Sequence, residues 1–173
     1  ARALVRVDEL DEADVAEAKG RYHLYLSWAC PWAHRTVIVR KLPGLENIIS
    51  MTVVDPVRDH RGWKFGNGNG FEKDSIENFK YLSEAYRATD VNWRGRTTVP
   101  VLWDKKTHKI VNNSEDDICK IFNNISRNSS SKPIDLFPQE FSESAGKLNA
   151  MIYTDINNGI YQAGFAKTQE VHE

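Results

Sequence analysis

The 173-residue chain is 40% hydrophobic and 27% charged, with a formal net charge of −1, enough apolar content to bury a core in one or two compact domains. The near-neutral balance argues against nucleic acid or an anionic membrane as principal partner, and no apolar run approaches the ~20 residues that span a bilayer. Two cysteines, Cys30 and Cys119, are too few for a disulfide framework and point to a reducing, intracellular compartment, with the cytoplasm as the default.

The opening ARALVRVDELDEADVAEAKG has no initiating Met, no clear apolar face and no apolar core of a secretory signal; it reads as an extension or frayed helix. Residues 22–27 read as a strand, with Leu24 and Leu26 alternating against Tyr25. From Pro31, the residues Ala33, Val37, Ile38 and Leu42 recur at helical spacing until Pro43-Gly44 stops the pattern. IISMTVV, residues 48–54, reads as a buried strand. A loop follows over 55–74. Its GNGNG stretch trails an aromatic loop and lacks the G-x-G-x-x-G spacing, so it is not read as a phosphate cradle.

Ile76, Phe79, Leu82 and Tyr86 predict one face of a helix. VPVLW, residues 99–103, is a strand; KKTHK turns the chain into a short strand at Ile110-Val111. Ile118, Ile121, Phe122 and Ile125 line the next helix. A Ser/Asn/Pro-rich linker leads to Leu148, Ile152, Ile156 and Ile160, which predict a long helix opening a second domain. Sequons at Asn112, Asn124 and Asn128 are read as chance in a Ser/Asn-rich chain without a signal.

The order β-α-β-α-β-β-α is that of an α/β, thioredoxin-like domain. A proline inside a strand would ordinarily argue against the strand. It is accommodated if Val99-Pro100 is a cis bond at the strand's start, facing the Cys30 loop in this layout. The expected organisation is an extension at 1–20, a thioredoxin-like domain at 21–125, a linker at 126–139 and the beginning of a helical domain at 140–173.

The stretch LYLSWACPWAHR places Cys30 where a strand gives way to a Pro-led helix. The thiolate is the nucleophile, and a free cysteine titrates near 8.5. At a helix N-cap the sulfur would meet unpaired N–H groups and the positive end of the dipole. His34 and Arg35 add positive charge within the next two turns. These influences favour thiolate at neutral pH. The competing reading, a cysteine that merely fills apolar space, fits Cys119 on its amphipathic helix better than Cys30. Cys30-Pro31-Trp32-Ala33 lacks a resolving cysteine, so the chemistry is monothiol, with an external thiol such as glutathione resolving a mixed disulfide. No metal and no tightly bound cofactor is expected.

GRYHLYLSWACPWAHR, VVDP with GWKF, RTTVPVLWDKKT, IVNN and INNGIYQAGFAKTQE together resemble the glutathionyl-hydroquinone reductases, or Xi-class glutathione transferases. The resemblance implies a glutathione-transferase architecture, in which a thioredoxin-like domain precedes an all-α C-terminal domain that continues beyond Glu173, and a homodimer for the full-length protein. It implies glutathione as co-substrate and glutathionylated quinols as substrates. By residue, it implies Cys30 as nucleophile; Trp63, Val99, Pro100, Ser114 and Glu115 as glutathione contacts; and Tyr161 on the hydroquinone side. Two departures are visible: Ser114-Glu115 stands where the family usually reads Glu-Ser, and Trp28 replaces a smaller apolar residue. An omega-like thioltransferase or dehydroascorbate reductase, and a non-catalytic glutathione-binding module, remain alternatives.

Overall fold

The computed structural model describes residues 10, 12–129 and 133–172, so the reading of residues 1–9 lies outside it. The chain divides into two compact units between Asp135 and Leu136. In the first, α1 (Glu12–Ala16) leads to β1 (Tyr22–Leu26), α2 (Pro31–Lys41), β2 (Ser50–Val53), α3 (Leu82–Thr89), β3 (Val101–Asp104), β4 (Lys109–Asn112) and α4 (Glu115–Ser129). The four strands lie in the order β2-β1-β3-β4. β1 runs parallel to β2 and antiparallel to β3, and β4 closes the edge antiparallel to β3. A parallel pair needs a crossover, which α2 supplies. This is the thioredoxin-like arrangement expected from the element order.

All five residues of β1 are buried. The alternation of leucines against tyrosine therefore does not mark one solvent face. A central strand covered on both sides buries every side chain, and the tyrosine does so by finding a partner for its hydroxyl. Tyr25 donates to Asp74 Oδ1 at 3.0 Å. The same carboxylate accepts N–H groups from Ile76, Glu77 and Phe79 at 3.0–3.2 Å. That hub corrects the expected helix face: Ile76 and Phe79 lie in a bent loop pinned by Asp74, and α3 begins only at Leu82. Phe79 is apolar because it meets Trp103 edge-on, with ring centroids 5.6 Å apart.

The buried face of α2 also differs from the expected one. It is formed by Ala33, Thr36, Val39 and Arg40, whereas Ile38 and Leu42 are 47% and 54% exposed. Arg40 is buried because its stem packs while its head finds backbone acceptors: Nε donates to Ile49 O at 2.6 Å and an Nη to Glu46 O at 3.2 Å. α2 and α1 both pack on α4, and α3 packs on β4.

α4 runs through Ser129, so the first residues of the expected linker are helical; residues 130–132 lie outside the described part. The second unit contains α5 (Ser142–Met151), a π-helical turn (Ile152–Asn157), α6 (Asn158–Gly164) and α7 (Gln169–His172). The single long helix predicted from Leu148 to Ile160 is thus interrupted by a wide turn, where Asn158 Nδ2 bonds Tyr153 O at 2.8 Å. Among the described residues no helix is long and apolar enough to cross a membrane.

His23 in β1 carries a measurable consequence. It is buried, with Nδ1 2.7 Å from Ser50 Oγ. Burial above all, then the charges of Lys105 and Arg40, pull its pKa down to about 3. An unfolded histidine takes up its proton near 6.5, so between these values the unfolded chain binds the extra proton and stability falls as pH falls. Urea unfolding from pH 7 to 4.5 should show the wild type losing up to about 1.4 kcal/mol per pH unit more than His23→Gln below pH ~6. Parallel pH profiles would contradict a buried neutral His23.

Candidate active site

The site starts from the turn that ends β1. Ser27 is buried, its carbonyl accepting the Cys30 N–H at 3.1 Å and its hydroxyl the Ala29 N–H at 3.3 Å. This turn delivers Cys30 to the N-cap of α2 with extended backbone angles, φ −107° and ψ 108°. The Cys30 carbonyl accepts the His34 N–H at 3.1 Å, closing the first helical turn. Pro31 fits the opening position because the N–H it lacks would have no intrahelical acceptor there. The cysteine is half-buried.

Its Sγ lies 3.7 Å from the carbonyl oxygen of Val99, and the Val99-Pro100 peptide is cis. The Cys-Pro turn and the proline-bearing segment are therefore neighbours in space. A thiol can donate to that carbonyl. A thiolate cannot, so ionisation removes the attraction and leaves the sulfur to the helix N-terminus.

The two basic side chains near Cys30 are placed differently. His34 is exposed, its ring edge-on to Trp28 at 6.1 Å between centroids. Arg35 pairs with Asp116 at 2.8 Å, and Lys120 approaches the same carboxylate at 3.6 Å. Both members of the Arg35–Asp116 pair are about half exposed, so its contribution to stability is small. It nevertheless ties α2 to the first turn of α4. A guanidinium shared with a carboxylate also projects less positive potential onto Cys30 than an unshared one.

Cys119 contrasts with Cys30. It is fully buried in α4, and burial pushes its thiol up to about 12, against the opposing influence of Arg35. It stays protonated at neutral pH, and only the protonated, unreactive form is available there.

The turn between β4 and α4 is built by asparagines. Asn112 Oδ1 accepts the Ser114 N–H at 2.7 Å, and its Nδ2 donates to Asp117 Oδ2 at 3.4 Å. Ser114 offers its carbonyl to the Ile118 N–H at 2.9 Å and so precedes the helix as its cap residue. Glu115, Asp116 and Asp117 fill the first turn, where negative charge suits the dipole. Glu115 is only 6% exposed.

Tyr86, from α3, joins this turn to the cis-proline segment. Its hydroxyl donates to Thr98 O at 2.9 Å, accepts from Asn113 Nδ2 at 3.0 Å and lies 3.3 Å from the Thr98 N–H. Val99 and Ser114 are in this way positioned by one phenol. In the sequence Tyr86 reads as an ordinary apolar position, Asn112 as a chance sequon, and the two asparagines only as part of the resembling IVNN stretch. The Asn-Asn pair before an acidic turn is the signal that could have found them, since asparagine commonly satisfies the backbone two residues on.

Trp63 lies in the loop after β2 and is 9% exposed, with the Arg58 guanidinium 5.1 Å over its ring. That loop is held by Asp55 N–H to Lys64 O at 2.8 Å and by Leu82 N–H to Trp63 O at 3.0 Å. Tyr161 belongs to the second unit, where it is 41% exposed and stacks on Phe165.

Residues 29–125 match the family described as glutathione S-transferase, N-terminal domain. The chain belongs to that family. It is 44% identical over 154 residues to the glutathionyl-hydroquinone reductase PcpF of Sphingobium chlorophenolicum, covering 89% of this chain and 49% of that protein. Its fold matches the glutathione-bound structure of YqjG, a glutathione transferase homologue from Escherichia coli K-12, with a TM-score of 0.86 at 44% identity, over 89% of this chain and 50% of that one. The glutathione-S-transferase Xi of Phanerochaete chrysosporium matches with a TM-score of 0.85 at 41% identity, over 90% of this chain and 54% of that one. The chain thus spans about half the length of the curated relatives it matches. Within this glutathione-transferase domain, Cys30 occupies the strand-to-helix turn and the cis-proline segment stands opposite it.

Replacing Tyr86 by Phe strips the hydroxyl from Thr98 O and Asn113 Nδ2 while keeping the ring. Removing hydrogen bonds of this kind from the interior costs about 1–3 kcal/mol. Urea denaturation of Tyr86→Phe should show a loss in that range, and a loss under about 0.5 kcal/mol would mean the phenol is not what organises these segments.

Proposed function

We propose that the protein reduces glutathionyl-hydroquinones, using Cys30 as nucleophile and glutathione as reductant. The observation that carries this reading is the monothiol N-cap: Cys30 begins α2 opposite Val99 O, with Ala33 where a dithiol enzyme needs its second cysteine. Similarity to a glutathionyl-hydroquinone reductase and to a glutathione-bound homologue supports it.

The Cys30 thiolate attacks the glutathione sulfur of the conjugate. A sulfur–sulfur bond forms and the carbon–sulfur bond breaks; its electron pair stays on the ring carbon, which takes up a proton, and the hydroquinone departs. The thiolate of a second glutathione then attacks the sulfur of the bound glutathione. Oxidised glutathione leaves and the Cys30 thiolate is restored. One conjugate and one glutathione give one hydroquinone and one oxidised glutathione, so electrons and atoms balance without a metal or resident redox group. His34 and the α2 N-terminus favour the thiolate throughout, with Arg35 adding what its pairing to Asp116 leaves.

Glutathione would lie along the cis-proline segment, with the backbone of Val99 and Pro100 toward its cysteinyl unit and Trp63 beside it. Its γ-glutamyl carboxylate suits the backbone N–H groups at the start of α4. Its ammonium suits a carboxylate of the same turn, Glu115 or Asp116, the latter of which also serves Arg35 and Lys120. Ser114 caps the helix in this arrangement, which accommodates the Ser-Glu order. Tyr161 would meet the quinol ring.

The test is turnover of a glutathionyl-hydroquinone with glutathione by the full-length protein and by Cys30→Ser. Release of hydroquinone should fall to the uncatalysed background in a variant whose melting temperature is unchanged. Retained turnover would sink the proposal.

A further inference from the structure

Trp28 sits two residues before Cys30 and is 48% exposed, whereas Ser27 beside it is buried. A large indole left open on the turn that carries the nucleophile has neighbours on two sides. On one is the first turn of α2, where the His34 ring meets it edge-on at 6.1 Å. On the other is the glycine loop: a Cβ on Gly70 would lie 3.8 Å from Trp28 Cδ1, and Gly70 itself has φ +83°. That loop is fixed in place. Gly68 pairs with Phe71 in a tight bridge, and a Cβ on Gly68 would fall 2.0 Å from the Phe71 ring. The GNGNG stretch, which has no phosphate-binding pattern, thus serves to bring backbone close to aromatic rings.

We propose that Trp28 is a specificity-determining residue: it stacks on the aryl group of the conjugate and selects aromatic over other glutathione adducts. This rests on the reading of Cys30 as nucleophile given above. The aryl carbon of such a substrate is bonded directly to the sulfur that Cys30 attacks. Cys30 and Trp28 are two peptide units apart, at most about 7 Å between Cα atoms. An indole that close to the attacked sulfur is within reach of a ring starting one bond beyond it. Offset or edge contacts between aromatic rings add to plain area burial, which fits an aromatic side chain at this place better than an aliphatic one.

Calorimetric titration of the full-length protein with glutathione, S-phenylglutathione and S-cyclohexylglutathione tests this without turnover, because neither thioether carries the hydroquinone leaving group. The wild type should bind the phenyl conjugate more tightly than glutathione. Trp28→Leu should reduce that preference about three- to tenfold, with a smaller change for the cyclohexyl conjugate, and Trp28→Phe should keep most of it. An unchanged phenyl preference in Trp28→Leu overturns the proposal, as does an equal loss for both conjugates, which would indicate simple apolar contact. Wild-type turnover of a glutathionyl-hydroquinone is measured alongside. Its absence with a Trp28-dependent phenyl preference would sink the reductase reading and leave the aromatic subsite standing; its presence with no such dependence would do the reverse.

Discussion

The hydroxyl of Tyr86 is the contact on which the geometry of the site depends. It meets the backbone of Thr98 and the side chain of Asn113, and so fixes both ends of the β3–β4 hairpin against one helix. Thr98 carries the cis Val99-Pro100 peptide, and Val99 O faces Cys30. Asn113 precedes the start of α4, where Arg35 reaches Asp116 and links back to the helix that Cys30 caps. A buried phenol with both donor and acceptor capacity used is a strong constraint, because losing its hydroxyl removes hydrogen bonds from two segments at once. Cys30 itself is held by a turn, with its sulfur facing the Val99 carbonyl.

The two cysteines show how the same side chain is given opposite properties. Cys119 is fully buried on α4, where burial keeps it a thiol. Cys30 stands at a helix start, half-exposed, in the one kind of place where backbone dipoles favour sulfur in its charged form. The acidic first turn of α4 and the cation-bearing first turns of α2 are joined by the Arg35–Asp116 pair. The charge of Arg35 is therefore committed at least in part to Asp116.

Much of the architecture was legible in the sequence. The strand–Cys–Pro–helix junction, the proline at the head of β3 and the element order led to a thioredoxin-like domain, because each is a local rule with one strong structural outcome. The failures occurred where tertiary partners override periodicity. Ile76 and Phe79 mimic a helix face, yet Asp74 captures three backbone N–H groups and holds the segment in a turn. Arg40 is buried where a charged residue reads as solvated, since its acceptors, Ile49 O and Glu46 O, come from outside its helix. In the site, the placement of Cys30 at a helix start was legible and the role of Tyr86 was not: a tyrosine at an apolar helix position gives no hint that its hydroxyl serves both ends of a hairpin. The pairing of Arg35 with Asp116 likewise needed the packing of α2 on α4 to be known.

The central claim is that Cys30 takes glutathione from its substrate as a covalent intermediate. It is tested most directly by mixing the full-length protein with a glutathionyl-hydroquinone in the absence of free glutathione, then measuring intact mass and mapping the modified peptide. The account predicts one glutathione per chain, on Cys30, removable by reducing agent and formed together with one equivalent of hydroquinone. Hydroquinone release without an adduct, or an adduct on Cys119, would contradict it.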